Sequence, residues 1–218
     1  MLRNHLFIIL AASVSLLPSA LSAQPAEVRF VAQVAPPNLG AVVMATPDET
    51  SPSFELPTRH LTETLEAPAR AFRLQLEERE NAICTVRLPE EGDSFIILLV
   101  PSENRGFEAV IIPAADGAFR PGDFYLHNTS GSSVLGRVGS TEFTIAPRNG
   151  RVVRPDGARD NRFYDVLLGV RDEGQPRVIS RSRWPASDFN RTYVFFFYNP
   201  ERGDVDFRAI DEFVAPAD

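Results

Sequence analysis

Two stretches of the chain share one pattern of apolar and polar positions. Phe95–Ile112 and Tyr193–Ile210 each begin with a continuous apolar run, pass through a polar turn running from proline to glycine, and return in partial alternation. A short continuous apolar run between turn signals is typical of a strand that is covered on both faces. We therefore predict two β-hairpins, and we expect Tyr193–Tyr198, where every position is apolar or amphipathic, to be a central strand of a core.

The return strand of the second hairpin alternates between apolar and polar residues. Successive side chains of a strand point to opposite faces, so one face of this strand should be buried and the other solvated. The pattern predicts that Val205, Phe207 and Ala209 point inward and that Asp206 and Arg208 point outward.

Turn residues divide the rest of the chain into short segments. Eighteen prolines and thirteen glycines separate runs rich in β-branched and aromatic residues, which leaves little room for helices. Leu61–Glu80 contains helix formers, but Pro68 interrupts them and Phe72–Leu76 alternates, so we predict a strand after a loop. The predicted fold class is all-β: a β-sandwich made of two tandem Ig-like or similar small β-domains packed together.

The two halves present their landmarks in the same order. In this alignment Ala41–Thr46 corresponds to Phe124–Asn128, Arg87–Pro89 corresponds to Arg183–Pro185, and the two apolar hairpins correspond to each other. The second half needs extra residues, which loops absorb at small entropic cost. An internal duplication is one explanation, and chance agreement between two all-β segments is the other.

The N-terminus has the composition of a secretory signal peptide. Met1–Ala23 contains a basic residue, a short apolar run and a close of small residues, and the run is too short to span a bilayer. We predict a signal peptide at 1–23, a first β-domain at 24–114, a linker at 115–122 and a second β-domain at 123–218. The expected location is periplasmic or secreted, with no stable membrane span after cleavage.

Charge is distributed unevenly along the chain. All 22 basic residues are arginine and the net charge is −7, which together with export disfavours nucleic-acid binding. Arg148–Arg191 nevertheless holds ten arginines against six acidic residues, a local net charge of +4. This segment could be a solvated surface or could bind an anionic polymer or another envelope protein. The candidate binding residues are Arg151, Arg154, Arg159, Arg162, Arg177 and Arg181, and the even spacing of Arg177, Arg181 and Arg183 predicts that these three share one strand face.

Few residues could support metal, cofactor or redox chemistry. Cys84 is the only cysteine, so no internal disulfide can form, and its alternation with Val86 and Leu88 predicts a buried thiol. His60 and His127 are isolated outside the predicted signal peptide and do not form a zinc pattern. We expect no cofactor and no metal.

Three functional hypotheses follow. The first is an exported, non-enzymatic β-sandwich protein with a binding or structural role in the cell envelope. The second is a secreted hydrolase, in which a nucleophile, a base and an orienting carboxylate would come together from Asp123, His127 and the serines of Ser130–Ser133. The third is a carbohydrate-binding module that would use exposed Trp184, Tyr125 and Tyr193.

Overall fold

A computed structural model describes residues 25–102, 106–114, 117, 119–171 and 174–214. This part of the chain forms fifteen β-strands and no α-helix, so none of it is a helix long and apolar enough to cross a membrane. The predicted signal peptide at 1–23 lies outside the described residues.

The first seven strands form two sheets. A four-stranded sheet has the order β3-β1-β6-β7, with β1 and β6 parallel, and a three-stranded sheet has the order β2-β4-β5. The predicted strand after a loop is confirmed as β4. The bounds are β1 (Glu27–Ala32), β2 (Val42–Ala45), β3 (Leu65–Glu66), β4 (Ala71–Leu76), β5 (Ala82–Arg87), β6 (Ser94–Pro101) and β7 (Phe107–Pro113).

The remaining eight strands form two further sheets. One has the order β11-β8-β14-β15, with β8 and β14 parallel, and the other has the order β10-β9-β12-β13. The all-β prediction of packed, tandem β-sandwiches is therefore confirmed. The bounds are β8 (Phe124–Asn128), β9 (Ser133–Val138), β10 (Thr141–Ile145), β11 (Asn149–Val153), β12 (Phe163–Arg171), β13 (Arg177–Pro185), β14 (Asn190–Asn199) and β15 (Asp204–Phe213).

The four-stranded sheets that contain the two long apolar strands, β3-β1-β6-β7 and β11-β8-β14-β15, have the same topology. In each, the long apolar strand pairs in parallel with the first strand of its half and antiparallel with the last. The counterpart of Phe124–Asn128 is therefore Glu27–Ala32, and the alignment with Ala41–Thr46 is wrong. Short apolar strands look alike in sequence, and the parallel pairing that distinguishes them is a long-range contact.

Each sandwich has its own apolar core, and a third cluster fills the space between the sandwiches. The interface cluster includes Ile96 and Leu98 of β6 and Tyr193 and Phe195 of β14. The alternate residues of the same strands point into the two separate cores. The prediction that both faces of the aromatic strand are covered is confirmed for Tyr193–Phe196, but the strand end is open because Tyr198 is 59% exposed.

The β3-β1-β6-β7 and β11-β8-β14-β15 sheets, here called the inner sheets, contact each other across the interface cluster. β1 and β15 meet through the Arg29–Glu212 ion pair, and Val110 of β7 and Tyr125 of β8 belong to the interface cluster. Arg208 on β15 consequently points into the first sandwich, where its Nη1 donates to the carbonyls of Gln33 and Thr58 at 2.8 and 3.1 Å. The predictions that Arg208 faces solvent and that Ala209 is inward are wrong, because the outer face of this sheet is an interface and Ala209 is exposed on an edge strand.

A buried charged cluster ties β1 to β15. The Glu212 carboxylate forms an ion pair with Arg29 of the first sandwich at 2.5 Å, and Arg191 donates to both of its oxygens at 2.8 and 3.0 Å. The Tyr193 hydroxyl donates to the same carboxylate at 2.6 Å. Arg191 also donates to the carbonyl of Ala114, so the cluster joins both sandwiches and the segment between them.

Candidate functional site

The β10-β9-β12-β13 sheet, the outer sheet of the second sandwich, carries a row of basic side chains. Leu167 on β12 pairs with Arg137 on β9 at one side and with Arg181 on β13 at the other. Residues paired across a sheet point to the same face, and neighbouring strands lie about 4.8 Å apart. The two guanidinium groups therefore project from strands about 10 Å apart, on either side of one leucine.

Two shallow depressions meet at this row, and both include Arg137 and Leu167. One, of about 480 Å³, also includes Arg181 and Arg183, and the other, of about 710 Å³, includes Arg151 and Arg171. Within the described residues, Arg137, Arg151, Arg171 and Arg181 form no ion pair with a carboxylate. We call this surface the arginine face; it consists of Arg137, Arg151, Arg171, Arg181 and Arg183.

Other predicted binding arginines are engaged with carboxylates or lie on a turn. Arg154 donates to both oxygens of Asp123 at 2.8 and 2.7 Å, and Arg159 pairs with Asp165 at 3.2 Å. Burial by itself raises the pKa of Asp123, but the hydrogen bonds and positive charge around it outweigh burial and lower that pKa. Arg162 is exposed on the turn before β12. Arg154 therefore stabilises the fold by pairing with Asp123, in addition to any part that it takes in binding at the surface.

Arg177 does not share a face with Arg181 and Arg183, so that prediction is wrong. The register between β12 and β13 shifts once beside Gly169, and such a bulge inverts the alternation of the residues beyond it. The Arg177 guanidinium instead donates to both oxygens of Asp204 on the opposite sheet, at 2.5 Å each. Equal spacing in the sequence could not reveal the extra residue of a bulge.

The residues considered for a hydrolytic site lie near one another in sequence but hydrogen-bond elsewhere. Asp123 accepts bonds from Arg154, and the Ser130 hydroxyl lies 2.7 Å from Oδ1 of Asn128. The His127 imidazole forms no hydrogen bond within the described part of the protein.

The aromatic residues considered for carbohydrate binding pack against other side chains of the protein, but Tyr125 and Trp184 are only partly buried. Tyr193 is fully buried at the interface, and Tyr125 packs beside it with ring centroids 6.5 Å apart. Trp184 packs against Phe124 and Phe207 in the second core, with ring centroids 5.3 and 6.0 Å apart.

Cys84 is buried, as its alternation predicted. Burial, followed by the nearby charge of Glu108, raises the pKa of its thiol to about 11. Among the described residues, no three His, Cys, Asp or Glu side chains come together in a way that could hold a metal ion.

A cleft of about 830 Å³ opens between the sandwiches where β1, β6, β8 and β14 end. Its lining includes Val100 and Val110 of the first sandwich and His127, Phe197 and Arg208 of the second. Sequence alternation correctly placed Tyr125 and His127 on one face of β8. It could not reveal the cleft, because the opposite wall comes from residues distant in the chain.

No protein-family model matches this chain, and no curated protein matches it either.

Proposed function

We propose that the protein is an exported, non-enzymatic binding protein of the cell envelope and that its arginine face binds an anionic polymer. The single observation that carries the proposal is a set of neighbouring exposed arginines with no carboxylate partner among the described residues: Arg137, Arg171 and Arg181 on the outer sheet and Arg151 on the adjacent strand β11. Their guanidinium groups are free to donate hydrogen bonds to an incoming ligand.

The shape of the arginine face suits an extended ligand. Its two depressions are shallow and continuous across β9, β12 and β13, and Leu167 lies between Arg137 and Arg181. A polymer that carries one negative group per unit can contact several arginines in turn. Arginine also matches carboxylate and phosphate groups through two parallel hydrogen bonds, which favours both chemistries.

The local charge supports the same ligand class. The chain as a whole is acidic, with a net charge of −7, so long-range attraction to a polyanion is weak. The carboxylates in the two depressions are Asp165 and Glu142, and Asp165 already pairs with Arg159 and Arg183. The arginine face is thus a local basic area on an acidic protein.

Binding of short polyphosphate and of oligogalacturonate tests the proposal. We expect wild-type protein to bind at least one of these polyanions, with an affinity that falls as salt rises. The double variant Arg137→Gln/Arg181→Gln should bind more weakly, and the slope of log K against log salt should decrease by roughly two, about one for each lost contact.

The matched control is Arg73→Gln/Arg87→Gln, which removes the same charge from exposed positions on β4 and β5 of the first sandwich. This control should leave affinity and salt slope almost unchanged. The proposal is wrong if neither polyanion binds, or if the control weakens binding as much as the double variant on the arginine face.

A further inference from the structure

We propose that the cleft between the two sandwiches is a second binding site, which takes a small amphipathic monocarboxylate with an apolar body and one acidic head group. The site is separate from the arginine face and does not depend on it. Four features support this site: the location of the cleft, one buried histidine without a partner, one arginine without a carboxylate partner among the described residues, and an exposed apolar rim.

The cleft exists only because two sandwiches are packed together. Val34, Val100 and Val110 come from the first sandwich, and His127 and Phe197 come from the second. Its volume of about 830 Å³ lies within the range of small-molecule sites, about 300–1,000 Å³. Sites of this kind occur preferentially between domains, where two rigid walls hold the ligand.

His127 lines the cleft as a buried polar group with no hydrogen bond. Only 6% of the residue is exposed, and the Nδ1 atom has no partner in the described protein. Burial lowers the pKa of this imidazole, which keeps the ring neutral at pH 7, with one donor and one acceptor nitrogen. Buried polar atoms are nearly always hydrogen-bonded, so an unpaired ring beside a cleft indicates a missing bonding partner.

The neighbouring strand does not supply that partner. Gly150 lies opposite His127 in the strand pair, and a side chain there would come within 2.6 Å of Nδ1. The ring of Tyr125 stacks parallel to the imidazole, with the two ring centroids 6.2 Å apart. Nδ1 is thus enclosed against β11, and Nε2, which forms no hydrogen bond in the described protein, is the nitrogen that a ligand in the cleft could reach.

The two sides of the interface differ in how their polar groups are satisfied. Where β1 faces β15, Arg29 and Glu212 form a direct ion pair between the sandwiches. On the cleft side, Glu108 of β7 pairs with Arg148, which lies just before β11, and the buried His127 takes no part in that pair. A ligand in the cleft would give His127 the partner that it lacks.

Arg208 supplies the positive charge that selects an acid. Its Nη1 donates to two backbone carbonyls, and its guanidinium carbon lies 6.0 Å from the centre of the Phe197 ring. Within the described residues Arg208 forms no ion pair, whereas Glu108 in the cleft wall already pairs with Arg148 at 3.6 Å. The other guanidinium nitrogens can therefore donate to one carboxylate head group.

Apolar side chains continue from the cleft wall to its mouth. Val34 is 50% exposed and Tyr198 is 59% exposed, and both line the cleft. Apolar groups that stay exposed around a concave site are typical of a binding surface. They would cover the apolar body of the ligand while Arg208 and His127 bind its head group.

Binding of decanoate and of naphthoate to the full chain tests this inference, and the two acids distinguish an alkyl body from an aryl body. We expect at least one acid to bind, to shift the imidazole ¹⁵N resonances of His127, and to bind about tenfold or more tightly than the corresponding alcohol, since charge-assisted hydrogen bonds are the stronger ones. His127→Phe should weaken binding up to about tenfold, the value of one lost hydrogen bond, without lowering the urea midpoint.

A steric variant gives an independent readout. Val34→Trp should narrow the mouth of the cleft and weaken binding, whereas the control Val178→Trp, at a valine of 49% exposure on β13, should not. The inference is overturned if neither acid binds, if the alcohols bind as tightly as the acids, or if both tryptophan variants weaken binding equally.

Discussion

Glu212 holds together the most heavily charged part of the interface, and Glu212→Gln tests how much that part stabilises the protein. The variant keeps the size of the side chain but removes its charge. Arg29 and Arg191, whose side chains are only 20% and 8% exposed, would then lose their shared counter-ion. Buried charges without a partner are strongly unfavourable.

The size of the effect follows from burial. Removing one partner of a buried ion pair typically costs about 3–5 kcal/mol, and here one carboxylate serves two arginines and the Tyr193 hydroxyl. For a protein of this length each kcal/mol lowers Tm by about 2–4 °C, so we expect a decrease of roughly 6–20 °C.

The pH dependence has a definite sign. Burial by itself raises the pKa of Glu212, but the hydrogen bonds from Arg191 and Tyr193 and the charges of Arg191 and Arg29 outweigh it and hold the pKa below its ordinary value of 4.5. A carboxylate with a lowered folded-state pKa stabilises the protein fully above its unfolded-state pKa. That stabilisation is lost as pH falls through the folded-state pKa. The difference in stability between wild type and Glu212→Gln should therefore be largest near neutral pH and shrink in acid.

Urea unfolding at several pH values measures this difference. The matched control is Asp211→Asn, one residue away on the opposite face of β15. Among the described residues, the exposed Asp211 carboxylate accepts a hydrogen bond only from the Thr192 hydroxyl, at 2.6 Å. We expect the control to change stability by less than about 1 kcal/mol. A Glu212→Gln variant as stable as wild type, or one whose deficit does not depend on pH, would refute the role assigned to the cluster.

Two further predictions concern single positions. Cys84 should react with a thiol reagent at pH 8 only after unfolding, because burial raises its pKa to about 11; rapid stoichiometric labelling of the folded protein would contradict this. Gly139→Ala should destabilise the protein by more than the roughly 1 kcal/mol of the left-handed backbone alone, since a side chain there collides with the carbonyl oxygen of Asp156. Gly203→Ala, with a similar φ of 62° and open space around it, is the control, and equal urea midpoints for the two variants would contradict the collision.

The long apolar runs predicted the centre of each hairpin well. Burial of an uninterrupted run does not depend on which partner covers it, so β6 and the first part of β14 could be recognised from composition alone. The sequence could not show which part of the protein packs against each face of these strands. Val194 and Phe196 point into the second core while Tyr193 and Phe195 meet the first sandwich, and both pairs look equally apolar in the sequence.

Polar residues on the predicted outer faces were harder to interpret. Alternation indicates that Arg208 and Val205 lie on opposite faces of β15. It does not show whether the face that carries Arg208 contacts water or another domain. Arg208 meets the first sandwich, and Arg177 is displaced by a bulge toward Asp204. The arginine-rich composition predicted a basic segment at Arg148–Arg191, and several arginines of that segment form ion pairs within the fold.

The duplicated topology also explains why candidate sites arise where the halves differ. Both halves form the same kind of four-stranded inner sheet. Where complementary polar groups of the two sheets meet at the interface, they pair directly, as Arg29 and Glu212 do. The additional strand β10 makes the outer sheet of the second half four-stranded, and the arginine face lies on that sheet except for Arg151, which is on β11. The unpaired His127 lies on the side of the interface where Arg148 pairs with Glu108 of the first half, and it takes no part in that pair. In such a fold, functional sites are best sought where one half carries a polar group for which the other half provides no hydrogen-bond or ion-pair partner.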